Sequence, residues 1–224
     1  MDNNAFNSFI LKQYNPIVFN LHSLFFCLCS FVFCLLSLLS NPKHLQSNNM
    51  NLTFIRHTSV AIEPGICYGQ SDVEVSATFK AEAQQVRSKL LQRPFDAVYC
   101  SPLSRCLKLA SFCGYTEPVI DDRLMELNFG AWEMKAWSDI QDPQLQLWFD
   151  NWVEAIPTGG ESFASLIVRV QEFLEDLITL PFHDVIIFTH AGVIRAAGIL
   201  AGVFATSEAF DYQVGYGDAF KITI

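Results

Sequence analysis

Two apolar runs along this chain stop abruptly at a histidine. Leu52-Thr53-Phe54-Ile55 runs into Arg56-His57, and Asp184-Val185-Ile186-Ile187-Phe188-Thr189 runs into His190-Ala191-Gly192-Val193. Short runs of this kind read as strands buried on both faces, each delivering its polar residues to its C-terminal end. Phe95-Asp96-Ala97-Val98-Tyr99-Cys100 predicts another strand, Val119-Ile120 a short third, and Phe220 to Ile224 a closing edge strand.

The segments between these runs change period from a continuous apolar run to three and four. Ser76 is a helix N-cap candidate followed by Phe79, Ala83, Val86 and Leu90 on one face. Ser101-Pro102 opens a helix carrying Arg105, with proline near the first turn, where its missing N–H costs little. Gly159-Gly160-Glu161-Ser162 leads into an amphipathic helix with Phe163, Leu166, Val170, Phe173, Leu174 and Leu177 on one side, and His190 begins a further helix. Strands alternating with helices predict an α/β fold, a three-layer αβα sandwich around a mostly parallel sheet. From Asp121 to about Pro157 the periodicity lapses into an aromatic-rich insertion with Trp132, Trp137, Trp148 and Trp152. Such insertions carry specificity in many enzymes, and aromatic clusters also simply fill cores.

Composition divides the chain at residue 49. No Asp, Glu, Lys or Arg lies between Lys12 and Lys43, and residues 17–39 are apolar enough to cross a bilayer. They make a poor secretory signal, because the preceding region is long with only Lys12 as a cation, and no small-x-small site follows Leu39. Met50 stands immediately before the first convincing strand. The favoured reading is that residues 1–49 are an over-extended start and residues 50–224 a catalytic domain in the cytoplasm; the alternative is a membrane anchor at 17–39.

The formal charge is −9; the first 49 residues carry Asp2 against Lys12 and Lys43, a net of +1, which leaves −10 for residues 50–224. With no Lys/Arg run, such a surface argues against a nucleic-acid partner. The seven cysteines form no CxxC pair, and no His/Cys cluster has ligand spacing, which argues against a zinc site or a disulfide framework and for reduced, buried thiols.

Ligand sites in open α/β sheets lie at the carboxyl ends of the strands, where His57 and His190 both fall. Two guanidinium forks, Arg56 and Arg105, are predicted beside them. Such forks match phosphate oxygens and stay charged at any working pH. Surrounded by cations, the His57 imidazole is biased toward its neutral form, which leaves a ring nitrogen free to attack phosphorus. The N-terminus of the helix after His190, beginning at Ala191, offers backbone donors to the same anion.

Arg56-His57-Thr58 after the first strand, Ser101-Pro102-Leu103-Ser104-Arg105, Glu126 with Phe129-Gly130-Ala131-Trp132-Glu133, and Thr189-His190-Ala191-Gly192, in that order, resemble the histidine phosphatase superfamily, also called phosphoglycerate mutase-like. The resemblance covers Leu52 to the C-terminus. It implies that His57 becomes phosphorylated, that Arg56, Arg105 and His190 clamp the phosphoryl group, and that Glu126 is the general acid, then base, with Glu133 the competing candidate. It also implies a small phosphorylated substrate, with no metal and no cofactor.

Many relatives have Gly after the first His, with Thr and Asn shortly beyond; this chain reads Thr58-Ser59-Val60-Ala61-Ile62-Glu63. Thr58, Cys67-Tyr68-Gly69-Gln70-Ser71-Asp72 and the stretch from Glu126 to Glu133 are more similar to the alpha-ribazole phosphatase branch than to the mutases, which carry Arg-His-Tyr-Gly where Leu127-Asn128-Phe129-Gly130 stands here. Gln70 and Ser71 are candidates for lining the phosphate pocket, with turn chemistry alone as their alternative. The function implied is a phosphomonoesterase removing the 5′-phosphate of alpha-ribazole phosphate in cobalamin nucleotide-loop assembly. The alternatives are a broad-specificity phosphatase, a mutase of the same superfamily and, remotely, an inactive phosphate-binding domain.

Overall fold

The computed structural model describes residues 49–90 and 94–224. The apolar window at 17–39 and the rest of residues 1–48 lie outside the described residues. Among the described residues, no helix is long and apolar enough to cross a membrane.

A five-stranded sheet organises the described residues in the order β3-β2-β4-β1-β5. Strands β1 (Asn51–Arg56), β2 (Ala97–Cys100), β3 (Val119–Ile120) and β4 (Asp184–Thr189) run parallel, and β5 (Ala219–Thr223) runs antiparallel along β1. Central β4 is buried along all but its first residue, as its unbroken apolar run requires. At the edge, β5 alternates exposed and buried, with Phe220 and Ile222 inward.

Period-two geometry sorts the strand side chains to two faces. Ile55, Cys100, Ile186 and Phe188 pack with Ala83, Val86 and Leu90 of α1 (Phe79–Leu90) and with Cys106, Leu109 and Ala110 of α2 (Ser104–Phe112). Leu52, Phe54, Tyr99, Val185 and Ile187 face the other way, toward α4 (Phe163–Leu177) and α5 (Ala191–Leu200). These are the three layers expected. The buried face of α4 comprises the six residues its periodicity named, and Ser162 caps it by accepting from the Ser165 N–H at 3.1 Å.

Strand β2 begins at Ala97 rather than Phe95, β5 sits one residue earlier than expected, and two helix starts shift. Helix α2 begins at Ser104, so Pro102 precedes its first turn; Ser101 instead accepts from the Leu103 N–H at 3.4 Å. Helix α1 begins three residues after Ser76, which accepts from the Thr78 N–H at 3.3 Å.

The aromatic-rich stretch folds as 3₁₀ turns and the short helix α3 (Gln144–Asp150). Trp148 and Trp132 are buried, their rings 6.0 Å apart, and the Trp132 Nε1–H donates to Asp142 at 2.7 Å. Both fill a core. Trp152 lies against Phe163 and Phe210, at 5.3 and 4.4 Å between ring centres.

Candidate active site

Arg56 and Thr189 are register partners at the ends of adjacent parallel strands β1 and β4. The next residue in each chain direction is therefore a histidine beside a histidine. The rings of His57 and His190 meet edge to face with centres 5.1 Å apart, and both are buried.

The proton on His57 is placed by geometry. Its Nδ1 lies 2.7 Å from the Thr58 carbonyl oxygen, which can only accept, so Nδ1 carries the hydrogen. Burial, then the charges of Arg105 and Arg56, hold its pKa well below the usual histidine value. A neutral ring with hydrogen on Nδ1 leaves the Nε2 lone pair free. Burial, followed by the charge of Arg105, likewise depresses His190, whose Nε2 lies 2.8 Å from the Ser101 hydroxyl. The Cys106 thiol donates to the Thr189 carbonyl at 3.4 Å and lies 3.5 Å from the same His190 nitrogen. Burial raises the Cys106 pKa to about 12, so it stays a thiol.

The two predicted guanidiniums are buried beside this pair. Arg105 donates to the carbonyls of Gly69 at 2.6 Å and Ser71 at 2.9 Å, while its Nε has no partner. Arg56 donates to the Val214 carbonyl and stacks 3.9 Å from the centre of the Tyr216 ring. Tyr216 in turn lies 5.6 Å from the His57 ring, and its hydroxyl is 3.0 Å from that of Tyr68.

Glu126 faces the same recess. Its carboxylate accepts from the Leu127 N–H at 2.9 Å and from the Gly192 N–H in the first turn of α5. Glu133 is engaged differently, accepting from the backbone N–H groups of Gln70 (2.9 Å), Ser71 (2.5 Å) and Phe129 (3.1 Å). Burial would raise its pKa, but a hydrogen bond from the Ser71 side chain, followed by these backbone donors, outweighs it and holds the carboxyl below the ordinary value. Glu133 therefore ties the 69–71 loop, whose carbonyls orient Arg105, to the Phe129 turn.

The recess is lined by Arg56, His57, Tyr68, Glu126, Ala191 and Arg195, with apolar walls from Leu127, Phe129, Phe163 and Phe210. Arg105 and His190 are fully buried next to His57 and do not line it. Gln70 and Ser71 lie outside the lining as well. The Gln70 amide donates to the Glu126 carbonyl at 3.2 Å, and Ser71 engages Glu133 through both its side chain and its backbone N–H and Arg105 through its carbonyl. Thr58 is buried, its carbonyl on His57 and its hydroxyl unpartnered. Among the described residues, no group of three or more His, Cys, Asp or Glu is placed to hold a metal ion.

Tyr216, Arg195 and Phe210 were not singled out from the sequence, and Tyr68 entered only as part of the Cys67-to-Asp72 stretch, with no role of its own. One signal was available. Helix α5 is apolar on nearly all sides and buries Arg195 as its one charge. Buried Arg side chains are rare unless paired, so a lone charge in an all-apolar helix marks a built interaction.

A buried imidazole held neutral beside two guanidinium groups at the carboxyl edge of a parallel sheet suits the chemistry of a phosphatase. The chain belongs to the histidine phosphatase superfamily (branch 1), whose family model matches residues 52–222. It is 30% identical over 160 residues to the adenosylcobalamin/alpha-ribazole phosphatase of Escherichia coli, covering 65% of this chain and 75% of that one. It is 28% identical over 157 residues to phosphoserine phosphatase 1 of Hydrogenobacter thermophilus, covering 66% and 74%. The solved alpha-ribazole phosphatase of Shigella flexneri superimposes with a TM-score of 0.71 at 27% identity, covering 77% of this chain and 89% of that one.

Proposed function

We propose that residues 50–224 form a catalytic unit that hydrolyses a small phosphomonoester through a phosphohistidine on His57, and that alpha-ribazole 5′-phosphate is its substrate. One observation carries the reaction: the Thr58 carbonyl holds the hydrogen of His57 on Nδ1, which leaves Nε2 as the nucleophile. In this reading Nε2 attacks phosphorus, and the bond to the ester oxygen breaks. Glu126 gives its proton to the departing alkoxide. The positive charge that develops on the phosphorylated ring is offset by the Thr58 carbonyl. Arg56, which lines the recess, stabilises the charge spread over the equatorial oxygens, Arg105 and His190 add to it from their buried places beside His57, and the Ala191 end of α5 borders the group. Water then attacks the phosphohistidine while the Glu126 carboxylate takes its proton, releasing phosphate and restoring Nε2.

The substrate assignment rests on two supports. Relatives named alpha-ribazole phosphatase match by sequence and by structure. The walls beyond Glu126 are apolar and aromatic, which suits a nucleotide with a flat base better than a small amino-acid phosphate. The four described cysteines are buried and free, which fits a reducing cytoplasm.

The test is turnover of p-nitrophenyl phosphate with EDTA present, followed by quenching under conditions that spare phosphohistidine. Activity that survives chelation, and label that disappears in His57→Ala, are expected. Label persisting on another residue would refute the nucleophile. A panel of alpha-ribazole phosphate, phosphoserine, 3-phosphoglycerate, sugar phosphates and nucleotides tests the substrate; a preference for phosphoserine would overturn that part alone.

A further inference from the structure

Between α5 and β5 the chain passes over the recess, and two buried arginines tie this segment down. The Arg195 Nε donates to the Ala209 carbonyl at 2.8 Å and its second fork reaches the Tyr212 carbonyl at 3.3 Å. Arg56 takes the Val214 carbonyl. Both ends of residues 209–214 are thus fixed by guanidiniums that themselves border the recess. Burial, followed by the neighbouring charge of Arg56, brings the Arg195 pKa down to about 10, still high enough for it to be a cation at neutral pH.

What this strap presents is Phe210. Its ring lies 4.4 Å from Trp152 and 5.6 Å from Phe163, and the Arg195 guanidinium sits 5.0 Å from its centre. Backed by two rings and a cation, Phe210 has little freedom to move aside. Phe129, Phe163 and Leu127 are buried, whereas Phe210 is only half-buried and keeps surface to offer.

In-line displacement puts the leaving oxygen on the side of phosphorus away from His57 Nε2, toward the acid that protonates it. Any group on that oxygen extends past Glu126 into a recess whose apolar lining comes from Leu127 and Phe129 on one chain segment, Phe163 on a second and Phe210 on a third. We infer that Phe210 is the specificity-determining residue of this site: it packs against the alcohol portion of the substrate and selects phosphomonoesters whose alcohol carries a flat apolar ring over those with small or polar alcohols. Arg195 is a positioning residue that holds Phe210 at its station, and Trp152 gives the aromatic insertion its part in selection without touching substrate. The proposal rests on the phosphatase reading above.

The test compares 2-phenylethyl phosphate with ethyl phosphate. Both are primary alkyl esters needing the same proton, so the ratio of their kcat/KM values reports recognition of the ring. It does not depend on how much of a preparation is folded. Burying one ring face predicts a wild-type ratio of about tenfold or more, collapsing toward one in Phe210→Ala. Phe210→Leu, which keeps an apolar side chain, falls between and serves as the readout if the alanine variant is inactive. Equal efficiency on the two esters in the wild type, or a ratio unchanged by both variants, overturns the role of Phe210 and leaves the phosphatase reading standing. Failure to turn over either ester, or p-nitrophenyl phosphate, sinks that reading itself.

Discussion

The Gly192 N–H points at the Glu126 carboxylate, 3.1 and 3.2 Å from its two oxygens. Glycine is required there by space. A Cβ on residue 192 would lie 2.2 Å from Glu126 Oε1 and 3.1 Å from Leu166, so any larger residue pushes the carboxylate off its seat.

Gly192→Ala should therefore act as a displaced-acid variant. We expect kcat on alkyl phosphates to fall about tenfold to a hundredfold, in line with loss of general acid catalysis, with a smaller effect on p-nitrophenyl phosphate, whose leaving group departs unprotonated. Glu126→Gln should give the same asymmetry. Steady-state kinetics on both ester types checks it, and equal losses would move the acid role elsewhere.

Glu133→Gln should weaken the fold and loosen substrate binding together. The amide keeps the size but loses charge on three backbone N–H groups, at a cost of about 1–2 kcal/mol after allowing for its partial exposure. Because the 69–71 loop also orients Arg105, KM should rise by more than kcat falls. Urea unfolding and kinetics on one preparation test both halves.

Trp148→Ala should cost about 3–5 kcal/mol, as for other large buried aromatic residues. The ring is fully buried, 5.8 Å from Phe129 and 5.7 Å from Trp137. Denaturant midpoints measure the loss.

Acid should destabilise the protein in two stages. His57 and His190 are both held neutral in the folded state with pKa values depressed well below normal. Below the unfolded value of about 6.5 the unfolded chain binds protons that the folded one refuses, so stability falls with pH by up to about 1.4 kcal/mol per unit for each histidine. Glu133, Glu82 and Asp121 are depressed carboxyls, whose contribution is present above about 4.3 and is lost as pH falls further. Urea titrations at pH 7.5, 5.5, 4.5 and 3 should show both steps. His57→Ala should reduce the slope of the first, and an unchanged slope would contradict a neutral His57.

The strand-to-site part of this arrangement was legible because each strand carries its own punctuation. Phe54-Ile55 and Phe188-Thr189 end at Arg56-His57 and His190, and parallel pairing alone brings those ends together. The same holds for α4, whose period of three and four requires no knowledge of what it packs on. Gln70 and Ser71 are candidates for the phosphate pocket with turn chemistry as the alternative, and their backbone N–H groups bond to Glu133, a link the spacing of residues does not disclose. Tyr216 and Phe210 were invisible for a related reason. Neither sits in a periodic segment, and both reach the site only because β5 is antiparallel, so that the loop entering it opens at the end where β1 closes. The 3₁₀ turns between Asp122 and Asp139 are three residues each, and only the first carries a side-chain cap, from Asp121, so they leave no period to read.

That reversed last strand also sets an order of events during synthesis. Arg56 and its partner Val214 are 158 residues apart, the His57 carbonyl accepts from the Gly217 N–H, and the Arg56 N–H donates to Asp218. Chains emerge from the ribosome N-terminus first, so the nucleophile leaves the exit tunnel long before the residues that complete its surroundings. The surroundings of Arg56 and His57 are complete only once β5 and the residues entering it pair with β1. A chain lacking residues 214–218 should therefore lose activity, because those residues supply the main-chain partners of Arg56 and His57.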